Sequence, residues 1–131
     1  MIVVDASALI AILDEERDAA RYAEAIADAD PPLVSAATLV ETGIVMFNRH
    51  GIRGSRKLDA LIQEAGFQVE SVTAQHAQLA LQGYASYGKG QKNAARLNYG
   101  DCFSYALAKA TGLPLLFKGR DFTETDIRSV L

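Results

Sequence analysis

A single cysteine, Cys102, is all the sequence carries. That excludes an internal disulfide and any multi-cysteine zinc site, and it agrees with a reducing compartment; a lone thiol here reads as a small buried apolar residue. Histidine is nearly as scarce. His50 and His76 stand apart in sequence from the acids discussed below, and neither falls in a ligand-spacing motif, which argues against a soft-metal centre. Long hydrophobic runs are missing too: the longest, Ala6 to Leu13, is far short of the roughly 20 residues of a membrane span, and no Lys or Arg precedes it as in a secretory signal. The expectation is a soluble, cytoplasmic protein with no membrane association. Nor is there an excess of positive charge, since 13 Lys and Arg face 16 Asp and Glu for a net charge of −3, so nothing global marks a nucleic-acid binder. No repeat or low-complexity tract occurs.

What is present is a chain of 131 residues, half of them hydrophobic, enough for one ordinary domain with a real core and too short for two comfortable ones. Its charges are unevenly spread. Acids crowd residues 14 to 30, whereas Arg49, His50, Arg53, Arg56 and Lys57, and then Lys89, Lys92 and Arg96, form two basic stretches.

Met1 to Asp5, with Ile2, Val3 and Val4, predicts a buried strand, followed by a short helix from Ser7 to about Leu13 and an alanine-rich one from Arg17 to Ala29 that ends at Asp30-Pro31-Pro32. Leu33 and Val34 predict a second strand, and Ser35 or Thr38 opens a long helix to Gly51, in which Val40, Gly43, Ile44 and Phe47 define a stripe expected to be buried. Further elements are a helix from Ser55 to Ala65, a strand from Phe67 to Val72, a helix capped by Thr73 and ended by Gly88, a mobile basic loop over residues 88 to 98, a helix ending at Gly112 and a strand from Leu113 to Phe117. Strands alternating with helices imply right-handed crossovers and a mainly parallel sheet covered on both faces. Helix N-termini and strand C-termini then share one edge, where ligands bind.

Four carboxylates fall on that edge: Asp5 at the end of the first strand, Glu41 in the first turns of the helix after the second, Asp101 at the start of the helix in NYGDCFSYALAKATG, and Asp121 after the LPLLF strand. Singly, Asp101 is explained as a helix cap, Asp121 as a turn residue and Glu41 as a helix-surface acid. Asp5 resists such an explanation, because a charge between Val4 and Ala6 in a buried strand needs a partner. Acids held close together raise one another's pKa unless a cation joins them, and a hard divalent metal such as Mg²⁺ takes carboxylates, waters and phosphate oxygens. Such a cluster suits phosphodiester hydrolysis. Lys89, Lys92, Arg96, Lys118 and Arg120 are the cations placed to hold a polyanionic substrate.

These segments, MIVVDASALIAIL, SAATLVETGIV and LNYGDCFSYALAKATGLPLLFKGRDFTETDI, resemble PIN-domain ribonucleases, most closely the VapC toxins of type II toxin–antitoxin pairs, over essentially the whole length. The resemblance implies one PIN domain over residues 1–131, a PIN-like three-layer α/β/α sandwich with a mainly parallel central sheet. It further implies cleavage of RNA to 5′-phosphate and 3′-hydroxyl ends with Mg²⁺, or Mn²⁺, as cofactor. Asp5, Glu41 and Asp101 match the core metal ligands and Asp121 the fourth acid; Asp126 matches an additional acid near a second metal, and Ser7 matches a residue that orients the first Asp. Lys118 departs from the small residue often found after this strand. A homodimer formed through helices is implied, as is inhibition by a VapB-type antitoxin, for which the Leu39 to Phe47 helix and the acidic Asp14 to Asp30 region offer a groove. Two other acidic-pocket folds fit less well. A receiver domain needs an acceptor Asp ending its third strand, absent from FQVESV, and a haloacid-dehalogenase phosphatase needs a second Asp where Ser7 stands.

Overall fold

Three-residue runs such as Ile2-Val3-Val4 are too short to form helices of their own, and in the computed structural model, which describes residues 1–131, they line up as the strands of a single sheet. In chain order the elements are β1 (Ile2–Val4), α1 (Ala6–Leu13), α2 (Ala19–Ala27), β2 (Pro32–Ser35), α3 (Ala36–His50), α4 (Ile52–Glu64), β3 (Gln68–Glu70), α5 (Ala74–Tyr87), α6 (Asp101–Thr111) and β4 (Leu115–Leu116). The strand order is β3-β2-β1-β4, and every pairing is parallel. The chain steps outward from β1 to β2 and β3, then returns to place β4 on the other side of β1. The direction of winding therefore reverses between β1 and β4, and the C-terminal end of β1 is where an α/β sheet opens a crevice.

Alternation along the strands divides the core into two layers. Val3, Leu33 and Leu115 pack with Leu97, Tyr105, Leu107 and Phe122 on the side of α5 and α6. Ile2, Val4, Val34 and Leu116 pack with Leu9, Tyr22 and Ile26 on the side of α1 and α2. Strands buried on both faces are why these segments read as continuous apolar runs, and each fully buried Val or Leu contributes about 1.5–3 kcal/mol. This is the expected α/β/α sandwich. No helix is long and apolar enough to cross a membrane.

Local signals set the helix ends. Ser35 accepts a hydrogen bond from the Ala37 N–H at 3.3 Å and Thr73 one from the His76 N–H at 3.1 Å, while Gly112 closes α6 with φ of 71°. The structure departs from the sequence reading in three places. The Val40, Ile44 and Phe47 stripe of α3 faces outward, each residue more than half exposed, and Thr38, Thr42 and Met46 face the core instead. Periodicity identifies an apolar face without saying what covers it. Next, α4 starts at Ile52 rather than Ser55, because Gly51, with φ of 63°, ends α3 and reverses the chain in one residue. Finally, the loop over residues 88 to 98 is tied at its base: Lys89 N–H donates to Leu97 C=O at 2.8 Å, Leu97 N–H to Tyr87 C=O at 3.0 Å, and Leu97 is fully buried.

A close approach of α3 and α4 generates a prediction. A methyl group on Gly54 would collide with the Met46 carbonyl, so Gly54→Ala, a change that favours an exposed helix by about 1 kcal/mol, should here destabilise the protein by about 1–3 kcal/mol, measured as a lower midpoint of chemical denaturation.

Candidate active site

The end of β1 is built to hold a carboxylate. Asp5 leaves the strand with extended backbone, donates its own N–H to Leu116 C=O of β4 at 2.9 Å and caps α1. Its side chain, only 3 % exposed, receives three donors: the Ser7 N–H at 3.1 Å and the Ser7 hydroxyl at 2.7 Å on Oδ2, and the Ser104 hydroxyl at 2.6 Å on Oδ1. Ser7 Oγ accepts from the Lys118 N–H at 2.9 Å, so the loop after β4 orients the serine that orients Asp5. Ser104 gives its only proton to Asp5, which makes Thr38 the donor in the 3.2 Å contact between their hydroxyls. Thr42 in turn donates to the Thr38 C=O at 2.8 Å.

Around Asp5 the structure gathers three more acids. Glu41 projects from α3 and lies against Gly100, the residue before α6; a Cβ at that position would overlap the Glu41 carboxylate. Asp101 begins α6 and is locked to the preceding turn by reciprocal bonds, in which the Asn98 N–H donates to Asp101 Oδ2 at 3.0 Å and the Asp101 N–H to Asn98 Oδ1 at 2.9 Å. Asp121 stands close enough to influence Asp101 directly.

No cation compensates them. Burial raises the Glu41 carboxyl and the Asp5 charge raises it further. Burial pushes Asp101 up to about 8, against the pull of the Asn98 amide, with Asp5 and Asp121 adding to the rise. Both carboxyls hold their protons more tightly than an ordinary carboxyl does, for want of positive charge. The donor set, oxygen only and partly desolvated, fits a hard divalent cation. In the arrangement described, no three of the acids converge on one point, so joint ligation calls for rotation of side chains now turned toward serines, the Asn98 amide and Gly100.

The remaining predicted site residues lie apart from this group. Asp126 is not brought to the cluster: it accepts from the Tyr105 hydroxyl at 2.9 Å and pairs with Lys109 at 2.8 Å, one and two turns along α6 from Asp101. Burial works against its charge, but Lys109 and Tyr105 hold it below the usual carboxylate range. Lys118 is beside the site through its backbone, yet its ammonium is occupied by Glu16 at 2.5 Å and Asp18 at 3.0 Å. Lys89, Lys92, Arg96 and Arg120 are exposed, the first three in the tied loop. His50 pairs with Asp14 at 2.8 Å, away from the acids.

Sequence reasoning missed Asn98, Gly100 and Ser104. Ser104 was signalled by its spacing, since it follows Asp101 by one helical turn and so shares its face; Asn98, three residues before Asp101, has the spacing of a reciprocal cap.

Comparison with known proteins agrees with this geometry. The PIN domain family model matches residues 2–128. Ribonuclease VapC28 of Mycobacterium tuberculosis is 50% identical over 129 residues, covering 98% of this chain and 97% of the relative, and ribonuclease VapC of Mycolicibacterium smegmatis is 48% identical over 128 residues, covering 98% of each. Among solved structures, Mycobacterium tuberculosis VapC20, described as a sarcin–ricin-loop-cleaving toxin, superposes with a TM-score of 0.80 over 99% of this chain and 98% of that one, at 21% identity. A parallel sheet with carboxylates gathered at its switch point defines the class, and the chain belongs to the PIN-domain family, among the VapC ribonucleases. Nucleases of this kind generally depend on a divalent metal.

A pH dependence follows from Asp101. Its folded-state pKa lies above the unfolded value near 3.8, so the folded protein retains a proton that the unfolded chain releases, and stability declines as pH rises from about 4 to about 8. In EDTA the melting temperature should be lower at pH 8 than at pH 5, and Asp101→Asn should flatten that slope; a slope unchanged by the substitution would remove Asp101 as its source.

Proposed function

We propose that this protein is a VapC-type endoribonuclease toxin: it binds Mg²⁺, or Mn²⁺, through Asp5, Glu41, Asp101 and Asp121, cleaves RNA in the cytoplasm, and thereby inhibits translation and growth. The observation that carries this reading is a nearly inaccessible Asp5 carboxylate, met by neutral donors alone and facing other acids with no cation among them. A bound divalent ion supplies activation of water and stabilises the charge that develops on the scissile phosphate. The protein's own groups fix where this happens. Ser7 and Ser104 orient the two oxygens of Asp5, Asn98 holds Asp101 by its side chain and its backbone, and Gly100 leaves room for Glu41 to lie beside them. Lys89, Lys92, Arg96 and Arg120, exposed at the surface, supply contacts to RNA phosphates. Lys118 serves through its backbone N–H on Ser7, its ammonium being neutralised, and Asp126 serves to brace α6 rather than to ligate metal.

The partner reading extends from the same surface. A VapB-type antitoxin and a second copy of the chain are the proposed partners, with the outward Val40, Ile44 and Phe47 stripe as an interface; together with Leu58 it lines a groove of about 520 Å³ between α3 and α4. Within the acidic Asp14 to Asp30 region, Asp14, Glu16 and Asp18 are already paired within the chain, which leaves the apolar stripe as the main support.

Asp5→Asn and Asp101→Asn should each lower RNA cleavage by at least about 100-fold, as loss of an essential charged group in a catalytic centre does, and relieve growth inhibition, with circular dichroism unchanged. EDTA should abolish cleavage and added Mg²⁺ or Mn²⁺ restore it, whereas EDTA-resistant cleavage by pure protein would overturn the metal assignment. Separately, Ile44→Glu should weaken self-association in sedimentation equilibrium or antitoxin binding in calorimetry. If neither changed, the α3 stripe would not be an interface.

A further inference from the structure

Tyr99 is 79 % exposed, the most exposed of the large apolar or aromatic residues. It precedes Gly100, against which Glu41 lies, and stands two residues before Asp101. Its ring is nonetheless held, edge-to-face against Phe103 with centroids 5.0 Å apart and planes at 79°, and its backbone runs between Asn98 and Asp101, which bond each other reciprocally. Tyr99 and Phe103 form one wall of a groove of about 670 Å³ whose other wall is Leu81 and Tyr84 of α5; Asn98 and Lys89 also line it. Lys89 is kept there from both directions, because its C=O accepts from the Tyr84 hydroxyl at 3.1 Å and its N–H donates to Leu97.

We infer that this groove is a nucleobase subsite in which a base flanking the cleaved phosphodiester of single-stranded RNA stacks on Tyr99 while Lys89 meets a backbone phosphate. This rests on the ribonuclease reading and adds to it a residue that positions substrate. Three features favour a nucleotide as the occupant. The groove adjoins the acid cluster through Asn98, which lines it and bonds Asp101 reciprocally. Its apolar wall presents a fixed aromatic ring, which stacks bases irrespective of their identity. The cations near it, Lys89 on the groove and Lys92 and Arg96 in the same loop, match a polyanion.

In full-length protein, Tyr99→Ala should raise KM for a short unstructured oligoribonucleotide about tenfold, within the range for loss of one base–aromatic stack, with a smaller effect on kcat, and Tyr99→Phe should behave as the parent. Because the chain has no tryptophan, Tyr99→Trp provides a single indole. Its emission should be quenched by the oligoribonucleotide, with Ca²⁺ in place of Mg²⁺ to slow cleavage, and not by an abasic ribose-phosphate oligomer of equal length. A parental KM in Tyr99→Ala, or equal quenching by the two oligomers, would overturn the subsite. So would a change of oligomeric state in Tyr99→Ala that accounts for the loss, since the groove would then be a protein contact. The quenching reports stacking whether or not RNA is cut, so failure of the stack is distinguishable from failure of the nuclease reading, which would show as no cleavage by the parent protein.

Discussion

A carboxylate buried at the end of a central strand must be solvated by the protein itself, and the arrangement around Asp5 is organised by that requirement. β1 lies between β2 and β4 with its backbone bonds committed on both edges, so Asp5 has no freedom to swing toward water. Three donors replace the hydration shell, and they come from α1 and α6, on opposite faces of the sheet. Each is tied to something further away: Ser7 to the loop after β4, Ser104 to Thr38 on α3. Neutral donors satisfy the oxygens without cancelling the charge. The residual negative potential is what Glu41 and Asp101 experience, and under the proposed function it is what would hold a metal ion at this edge.

Helix α6 links the core to this edge. Its first turn carries Asp101 and Ser104 toward Asp5, while Tyr105 packs on Gly83 of α5 and accepts no substitute there larger than hydrogen. Farther along, Lys109 and Tyr105 engage Asp126, so the C-terminal segment braces the helix from its other end. Close packing of this sort gives the acids positional accuracy that side-chain hydrogen bonds alone would not.

Much of the layout was legible from the sequence because strand and helix signals were strong and regularly spaced. The parallel sheet, the cap at Thr73, and the placement of Asp5, Glu41, Asp101 and Asp121 along one edge follow from alternation and topology. What escaped was decided by three-dimensional neighbours. The α3 stripe has the same periodicity whether a core or a partner covers it. Asp126 carries a motif position, but the residues that claim it, Tyr105 and Lys109, are 21 and 17 positions away. Ser104 meets Asp5 across a sequence separation of 99 residues.

Lys118 shows how placement and charge can part company. Its ammonium sits near a polyanion-cleaving edge but spends its charge on Glu16 and Asp18, and the chain as a whole is negative at −3. Net charge therefore does not draw RNA inward from a distance, and attraction falls to the exposed cations Lys89, Lys92, Arg96 and Arg120 at close range. Under the proposed function, selectivity would then arise after collision, from which strands conform to the surface long enough for a phosphate to reach the acids.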